Sequence, residues 1–388
     1  MLGHSPLGAS GAERWMNCPG SVGLSVGVND EEDDTFSRPG TAAHALGEQC
    51  LRLGTEAWTY IGARAVEEEA GVVVDKEMAD AVQFYLDEVR RCHPDRDQGN
   101  TWIERRFHCP TIHELSYGTS DLTHLALPVL HVWDFKYGAG IVVDVKENPQ
   151  LMYYACGMLT DLGLWDTVET VVLHICQPRG FHHDGQHREW SISTVDLSVW
   201  LVSVLVPAME TALVSRETKS GEHCRFCPVR RRACPQLISD VEEVGAIMAK
   251  MEKKGGAREL TNDELARFFE LKLSSRIAFK AAEETIFARL QAGQAIPGTK
   301  LASAKANREW KDDAEAALTE QYKDRAFERK LKSPAQIEKL PEGEKFTARY
   351  AFKPDAGLVV VPAGDSRVAV SKDTKSMFEA ATKKRKAK

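Results

Sequence analysis

The sequence lacks an apolar run long enough to cross a membrane: its longest, Trp200 to Met209, is roughly half of the ~20 residues a spanning helix needs. The opening MLGHSPLGAS has neither a basic stretch nor an apolar one, so no secretory leader is expected. These absences predict a cytoplasmic protein with no membrane partner. An excess of positive charge is missing too. The net charge is −7 and the pI about 6.0, which argues against nucleic-acid binding by bulk electrostatics. It leaves room for a cleft whose own carboxylates recruit cations. Internal repeats are absent, and the nine cysteines of an intracellular chain do not read as a disulfide framework.

What is there suffices for two or three domains: 388 residues, 43% hydrophobic and 28% charged. Residues 10–26 read as a short helix broken at Cys18–Pro19–Gly20, with an acidic exposed loop at Asp30–Asp34. Thr41 to Leu53 has apolar residues near a 3.6-residue period, and Glu77 to Arg91 is a second amphipathic helix. Short β-prone runs follow at Trp102–Phe107, Ser120–Leu127 and His131–Phe135. Pro149 to Leu162 returns to helix, and VETVVLHIC, Val168–Cys176, reads as a strand buried on both faces. The order predicts an α/β core with a small mixed sheet. Thr194 to Val214 reads as a helix, and Thr261 with Glu264 as a capping box opening another. The C-terminal third carries no catalytic constellation. Arg308–Trp310 reads as a packed tryptophan beside a paired helix rather than a nucleic-acid platform, and Lys383–Lys388 as a basic tail.

The chemistry concentrates in an ordered set. Asp134 and Lys136, in VWDFKYG, project to one side of a strand end. Asp121, in GTSD, lies on the preceding strand, where a hairpin brings it beside Asp134. His44 and Glu48 lie one helical turn apart upstream, and Gln150 and Tyr154 one turn apart downstream. Paired carboxylates can hold Mg²⁺ or Mn²⁺ through oxygen ligands, and a nearby lysine can stabilise charge developing on a phosphoryl group. A D-x-K triplet alone is weak, and only the surrounding order raises it. Glu104 reads more readily as an exposed strand residue paired with Arg105 or Arg106 than as an extra carboxylate.

In this order, His44, Asp121, Asp134-x-Lys136, Gln150 and Tyr154, the chain resembles the RecB-like branch of the PD-(D/E)XK nucleases. That branch includes the nuclease domains of RecB and AddB and the four-cysteine nucleases of CRISPR adaptation. It is more similar still to a family of phage and prophage proteins, through W-x-N-C-P at Trp15–Pro19 and D-F-K-Y-G…N-P-Q-L at Asp134–Leu151. The resemblance covers residues 10–240 well and the rest loosely. It implies a restriction-endonuclease-like α/β core over residues 1–238, an α-rich accessory region over 239–375 and a basic tail over 376–388. It implies that His44, Asp121 and Asp134 ligate Mg²⁺ or Mn²⁺ and that Lys136 is catalytic. Gln150 and Tyr154 would contact the scissile-strand phosphates. One departure is the second acid, Asp134, where many members have Glu; this puts geometry in question.

The cysteines divide in two. Cys50, Cys92, Cys109, Cys156 and Cys176 are scattered and read as small buried hydrophobes. Cys224-x-x-Cys227 and, after a six-residue gap, Cys234 form a compact soft-ligand set among Arg225, Arg230, Arg231 and Arg232. With Cys18 as fourth ligand this resembles the [4Fe–4S] clamp of AddB and the CRISPR-adaptation nucleases. The gap is longer than is common there, so Zn²⁺ stays open as an alternative. The function expected is a DNA nuclease, an exonuclease before an endonuclease, serving phage replication, recombination or end-processing in a bacterial host cell. Its partners would be DNA and a phage single-strand-binding or recombination protein. A catalytically silent scaffold and a zinc-stabilised interaction module are the competing readings.

Overall fold

The computed structural model describes residues 5–28, 34–64, 72–96, 99–232, 234–250, 259–302, 334–338 and 342–351, with the single positions 320 and 323. The chain divides into two compact units, residues 1–299 and 300–388. In the second unit the described helices are α10 (Pro334–Glu338) and α11 (Gly343–Tyr350), packed on each other. Residues 303–310, the Pro354–Gly364 stretch and the tail from Lys383 lie outside the described residues, as do most of Asp30–Asp34.

The first unit is mixed α/β. Its five-stranded sheet runs in the order β1 (Thr101–His108), β2 (Tyr117–Ala126), β3 (Val129–Phe135), β4 (Thr170–Cys176) and β5 (His187–Ser193). All neighbours are antiparallel except β3 and β4, which run parallel. A parallel pair needs a crossover, and α5 (Pro149–Asp161) supplies it. Its start is set locally: Pro149 stands at the first turn, and the Asn148 side chain accepts from the Leu151 N–H at 3.1 Å.

Each face of the sheet carries its own core. Leu130, Val132, Leu173 and Ile175 pack against α5, together with Trp15 of α1 (Ala12–Asn17). Trp133, Phe135, Leu122 and Cys176 pack against α3 (Asp34–Leu53) and α4 (Lys76–Cys92). Burying each of the larger side chains contributes roughly 1.5–3 kcal/mol relative to exposure. Alternation along β3 therefore sends Asp134 to the α5 face and His131, Trp133 and Phe135 to the other. Gly157 lets α5 lie close on β1, because a Cβ there would sit 2.3 Å from the Phe107 ring.

The expected elements recur with two changes. β5 was not expected from HREWSIS, which lacks an apolar run yet pairs with β4 over its whole length. Thr194–Val214 is continuous through α6 (Thr194–Trp200), a π-helical turn (Leu201–Leu205) and α7 (Val206–Val214). This corrects the sequence estimate: the segment, 22% buried, is long and apolar enough by length and composition to span a membrane. It places Leu197, Leu205, Met209 and Ala212 in the α5-side core and leaves Val195, Val199 and Val202 exposed. Beyond it come α8 (Pro235–Ala249) and α9 (Asn262–Gln291), the latter opened by the expected Thr261–Glu264 capping box.

Candidate active site

Asp121 and Asp134 face each other across β2 and β3, one step beyond the paired residues Leu122 and Trp133. The Asp121 carboxylate accepts from the Phe135 N–H at 2.7 Å. His44 of α3 reaches over the strand end, its Nδ1 at 3.5 Å from Asp121 Oδ2 and 3.9 Å from Glu104 Oε1. One donor atom from each of His44, Glu104 and Asp121 lies within 4.8 Å of the others. A small cleft opens on them, bounded also by Glu48, Tyr85 and Phe135.

Glu104 is the residue the sequence reading set aside. It stands opposite Asp121, between the pairs Ile103–Leu122 and Arg105–Ser120, with φ 47°. A non-glycine residue in the left-handed region is strained and has to be held there by its surroundings. The arginines expected to pair with it are engaged elsewhere: Arg105 with Asp161 at 2.8 Å, and Arg106 over the Tyr117 ring. Burial, then the Asp121 and Glu48 carboxylates, push Glu104 up to about 8. Arg52, paired with Glu48 at 2.8 Å, opposes that shift without cancelling it.

Asp134 is buried and bound on both oxygens. Lys136 Nζ lies 2.9 Å from Oδ2, and Gln150 Nε2 donates to Oδ1 at 3.1 Å. Gln150 also accepts from Lys136 Nζ at 3.0 Å and contacts the Tyr154 hydroxyl at 2.9 Å. Burial raises the Asp134 carboxyl, and Lys136 opposes it. Tyr154 is buried against Phe107 and braces Gln150 instead of facing outward. Thus all six residues singled out in the sequence meet at one strand end.

Cys18 lies beside the segment that leads into Cys224, Cys227 and Cys234. Gly20 follows Cys18 and docks on residues 216–217: its N–H donates to the Glu217 carbonyl at 2.8 Å, and a Cβ would lie 2.7 Å from that oxygen. Cys18 Sγ accepts from the Lys219 N–H at 3.4 Å. His223 hydrogen-bonds to both Cys18 and Cys224. Burial raises the Cys18 thiol, but the bonds from His223 and Lys219 outweigh it and hold it below its usual value. Cys224 and Cys234 pack in one small cluster with Leu237 and Ile277, and burial raises the Cys227 and Cys234 thiols. Thiols of this kind suit zinc or an iron–sulfur centre. Arg230 and Arg231 pair with Glu284 of α9 at 3.2 and 2.8 Å, so they tie this segment to the helix.

Fold and site define a mixed α/β protein with a carboxylate–imidazole cluster at the tips of its central strands. The chain belongs to the family described as "Protein of unknown function (DUF2800)", whose model matches residues 4–374. Among solved structures it is similar to one titled "Crystal structure of SSO0001", at 15% identity over 50% of this chain and 84% of that one. The TM-score of that match is 0.23, too low for it to bear on function.

Proposed function

We propose that the protein is a Mg²⁺- or Mn²⁺-dependent deoxyribonuclease with a RecB-like PD-(D/E)XK core, acting as an exonuclease in phage DNA replication, recombination or end-processing. One observation carries the reading: His44, Glu104 and Asp121 converge beside the Asp134–Lys136–Gln150 network at one strand end. A parallel β3–β4 pair bridged by α5 is consistent with it.

The donor set fits a hard divalent ion, with carboxylate oxygens and one imidazole and no thiolate. Asp121, Asp134, Glu104 and His44 would hold it. When bound, such ions supply Lewis acidity that polarises a phosphoryl oxygen and lowers the pKa of water. The chain's residues do the positioning. Asp121 is fixed by the Phe135 N–H and Asp134 by Gln150, so neither carboxylate has to be ordered during reaction. Lys136, held by Asp134 and Gln150, keeps an ammonium where negative charge develops on a phosphate. Tyr154 supports Gln150 from beneath.

Cys18, Cys224, Cys227 and Cys234 would carry a [4Fe–4S] cluster as a structural clamp, with Zn²⁺ the second reading of the same thiols. The test of the activity is incubation of end-labelled linear DNA and covalently closed circular DNA with the purified protein, with and without Mn²⁺. Metal-dependent loss of the linear substrate alone is the expected result. No cleavage of either substrate would overturn the proposal.

A further inference from the structure

The sheet face opposite α5 carries a second collection of metal-ligating side chains, which the nuclease reading does not use. Five histidines gather around the buried Trp133: His93 at the end of α4, His124 on β2, His131 on β3, His174 on β4 and His187 on β5. His174 and His187 stack on the indole at 4.1 and 4.8 Å. His93, His124 and His174 are buried, and His131 and His187 are half-buried. One ring nitrogen from each of His93, His131 and His174 lies within 4.8 Å of the others.

We propose that His93, His131 and His174 form a second metal site, for a transition-metal ion of the zinc class, which staples the end of α4 to β3 and β4. The proposal does not depend on nuclease activity. Three imidazoles without a carboxylate suit Zn²⁺ and its neighbours and not Mg²⁺ or Ca²⁺. Three protein nitrogens with the last position left to water is an ordinary zinc arrangement.

The hydrogen-bond chain behind the site orients its donors. Glu88 Oε2 lies 3.0 Å from His187 Nδ1. An ionised carboxylate only accepts, so the nearer Glu88 contact favours a proton on Nδ1 and a lone pair at Nε2, against the Arg91 guanidinium 3.5 Å from Nδ1. That lone pair accepts from His174 Nδ1, 3.0 Å away. His174 therefore keeps its own lone pair at Nε2, which faces His131 Nδ1 at 2.9 Å. A ligating histidine whose second nitrogen donates toward a carboxylate is the usual outer support of a metal site, and here one further histidine relays it. Loading the site shifts the His131 proton from Nδ1 to Nε2 with no net proton release. It also replaces the 2.9 Å bond from the Trp133 indole N–H to His93 Nε2. Half-buried Glu88, Cys92 and His187 form one converging group, and His174, His187 and the exposed Glu189 form another.

The test uses the full chain, stripped with a chelator, reloaded with Zn²⁺ and examined by metal analysis and zinc-edge X-ray absorption. The expected result is nitrogen scatterers at about 2.0–2.1 Å and about one zinc per chain more in the wild type than in His131→Ala. Asp121→Asn and Cys18→Ser should each retain that increment. The wild type should melt at a higher temperature with Zn²⁺ than without, as linkage requires, and His131→Ala should lose that difference. His131 is half-buried, so this variant remains informative even if His174→Ala does not fold. Undiminished zinc in His131→Ala, a shell of sulfur alone near 2.3 Å, or no uptake at all would each overturn the proposal.

Discussion

Two groups of metal-ligating side chains share the same strands, and burial acts on them with opposite sign. At the strand tips His44, Glu104 and Asp121 bring oxygen and nitrogen donors together on a cleft, beside the buried Asp134. Around Trp133 imidazoles predominate, packed under α4, with Glu88, Cys92 and Glu189 only at the outer side. Desolvation penalises the charged form in both. It therefore pushes the Glu104 carboxyl up to about 8, and pushes His93 down to about 3 and His131 to about 4. Glu104 is thereby poised to exchange its proton for a cation near neutral pH. His93 and His131 are already neutral there. An open, acidic cluster fits a working site, whereas a closed, uncharged one fits a structural role.

The largest expected break in this comparison is chemical. Asp134→Ala should abolish Mn²⁺-dependent DNA cleavage while circular dichroism stays native, because the neighbouring Lys136 is half-buried and water can reach it. Retention of cleavage would remove Asp134 from the site.

Next comes the cysteine clamp. A centre joining Cys18 to Cys224, Cys227 and Cys234 closes a loop of roughly two hundred residues around the sheet. Closing a loop of ~100 residues by a cross-link is worth about 4.7 kcal/mol in the chain-entropy model. Cys18→Ser should thus lose the metal and several kcal/mol of stability across the whole first unit. Anaerobically purified wild type should be brown, with about four irons per chain. One zinc in a colourless protein would keep the clamp and change its metal.

Lys136→Ala should cost on the order of 10²–10³ in cleavage rate, with little change in DNA affinity. An equal loss in binding would mean that the lysine only holds the backbone.

The smallest effect is on the metal-free protein. Glu104, raised from 4.5 to about 8, binds more protons folded than unfolded, so its contribution to stability falls as pH rises across that range. The buried histidines, lowered from 6.5, bind more protons unfolded, so their contribution falls as pH drops from 6.5 towards about 3. The melting temperature should climb from pH 4 to 6.5 and then slip towards pH 8. His223, which burial lowers but hydrogen bonds to Cys18 and Cys224 raise from 6.5 to about 10, adds to the slip above pH 6.5. Glu104→Gln should shrink the slip and leave the climb; an undiminished slip would assign all of it to other groups.

Much of the acidic group was legible in the sequence because its members follow a fixed order on regular elements. The period of Thr41–Leu53 placed His44 on a helix, alternation put Asp134 and Lys136 on one side, and Pro149 marked the start of α5. Glu104 was not legible. Its role depends on a left-handed backbone turn inside a strand, and TWIERRFH carries no glycine or asparagine to announce one. β5 escaped because a short edge strand of mixed polarity has no core pattern of its own. The histidine group was hidden for a different reason. Its members come from the end of one helix and four strands, so no local spacing joins them, and only the sheet register brings them around Trp133.

The most direct test of the acidic group as a working site couples binding to chemistry in one titration. Mn²⁺ bound to the protein is followed by electron paramagnetic resonance while cleavage of labelled linear DNA is measured in the same samples, for wild type and Asp121→Asn. The account predicts that wild-type protein binds Mn²⁺ and that cleavage rises with occupancy, while Asp121→Asn loses both together. Equal Mn²⁺ binding in the two proteins, or cleavage surviving in Asp121→Asn, would contradict it.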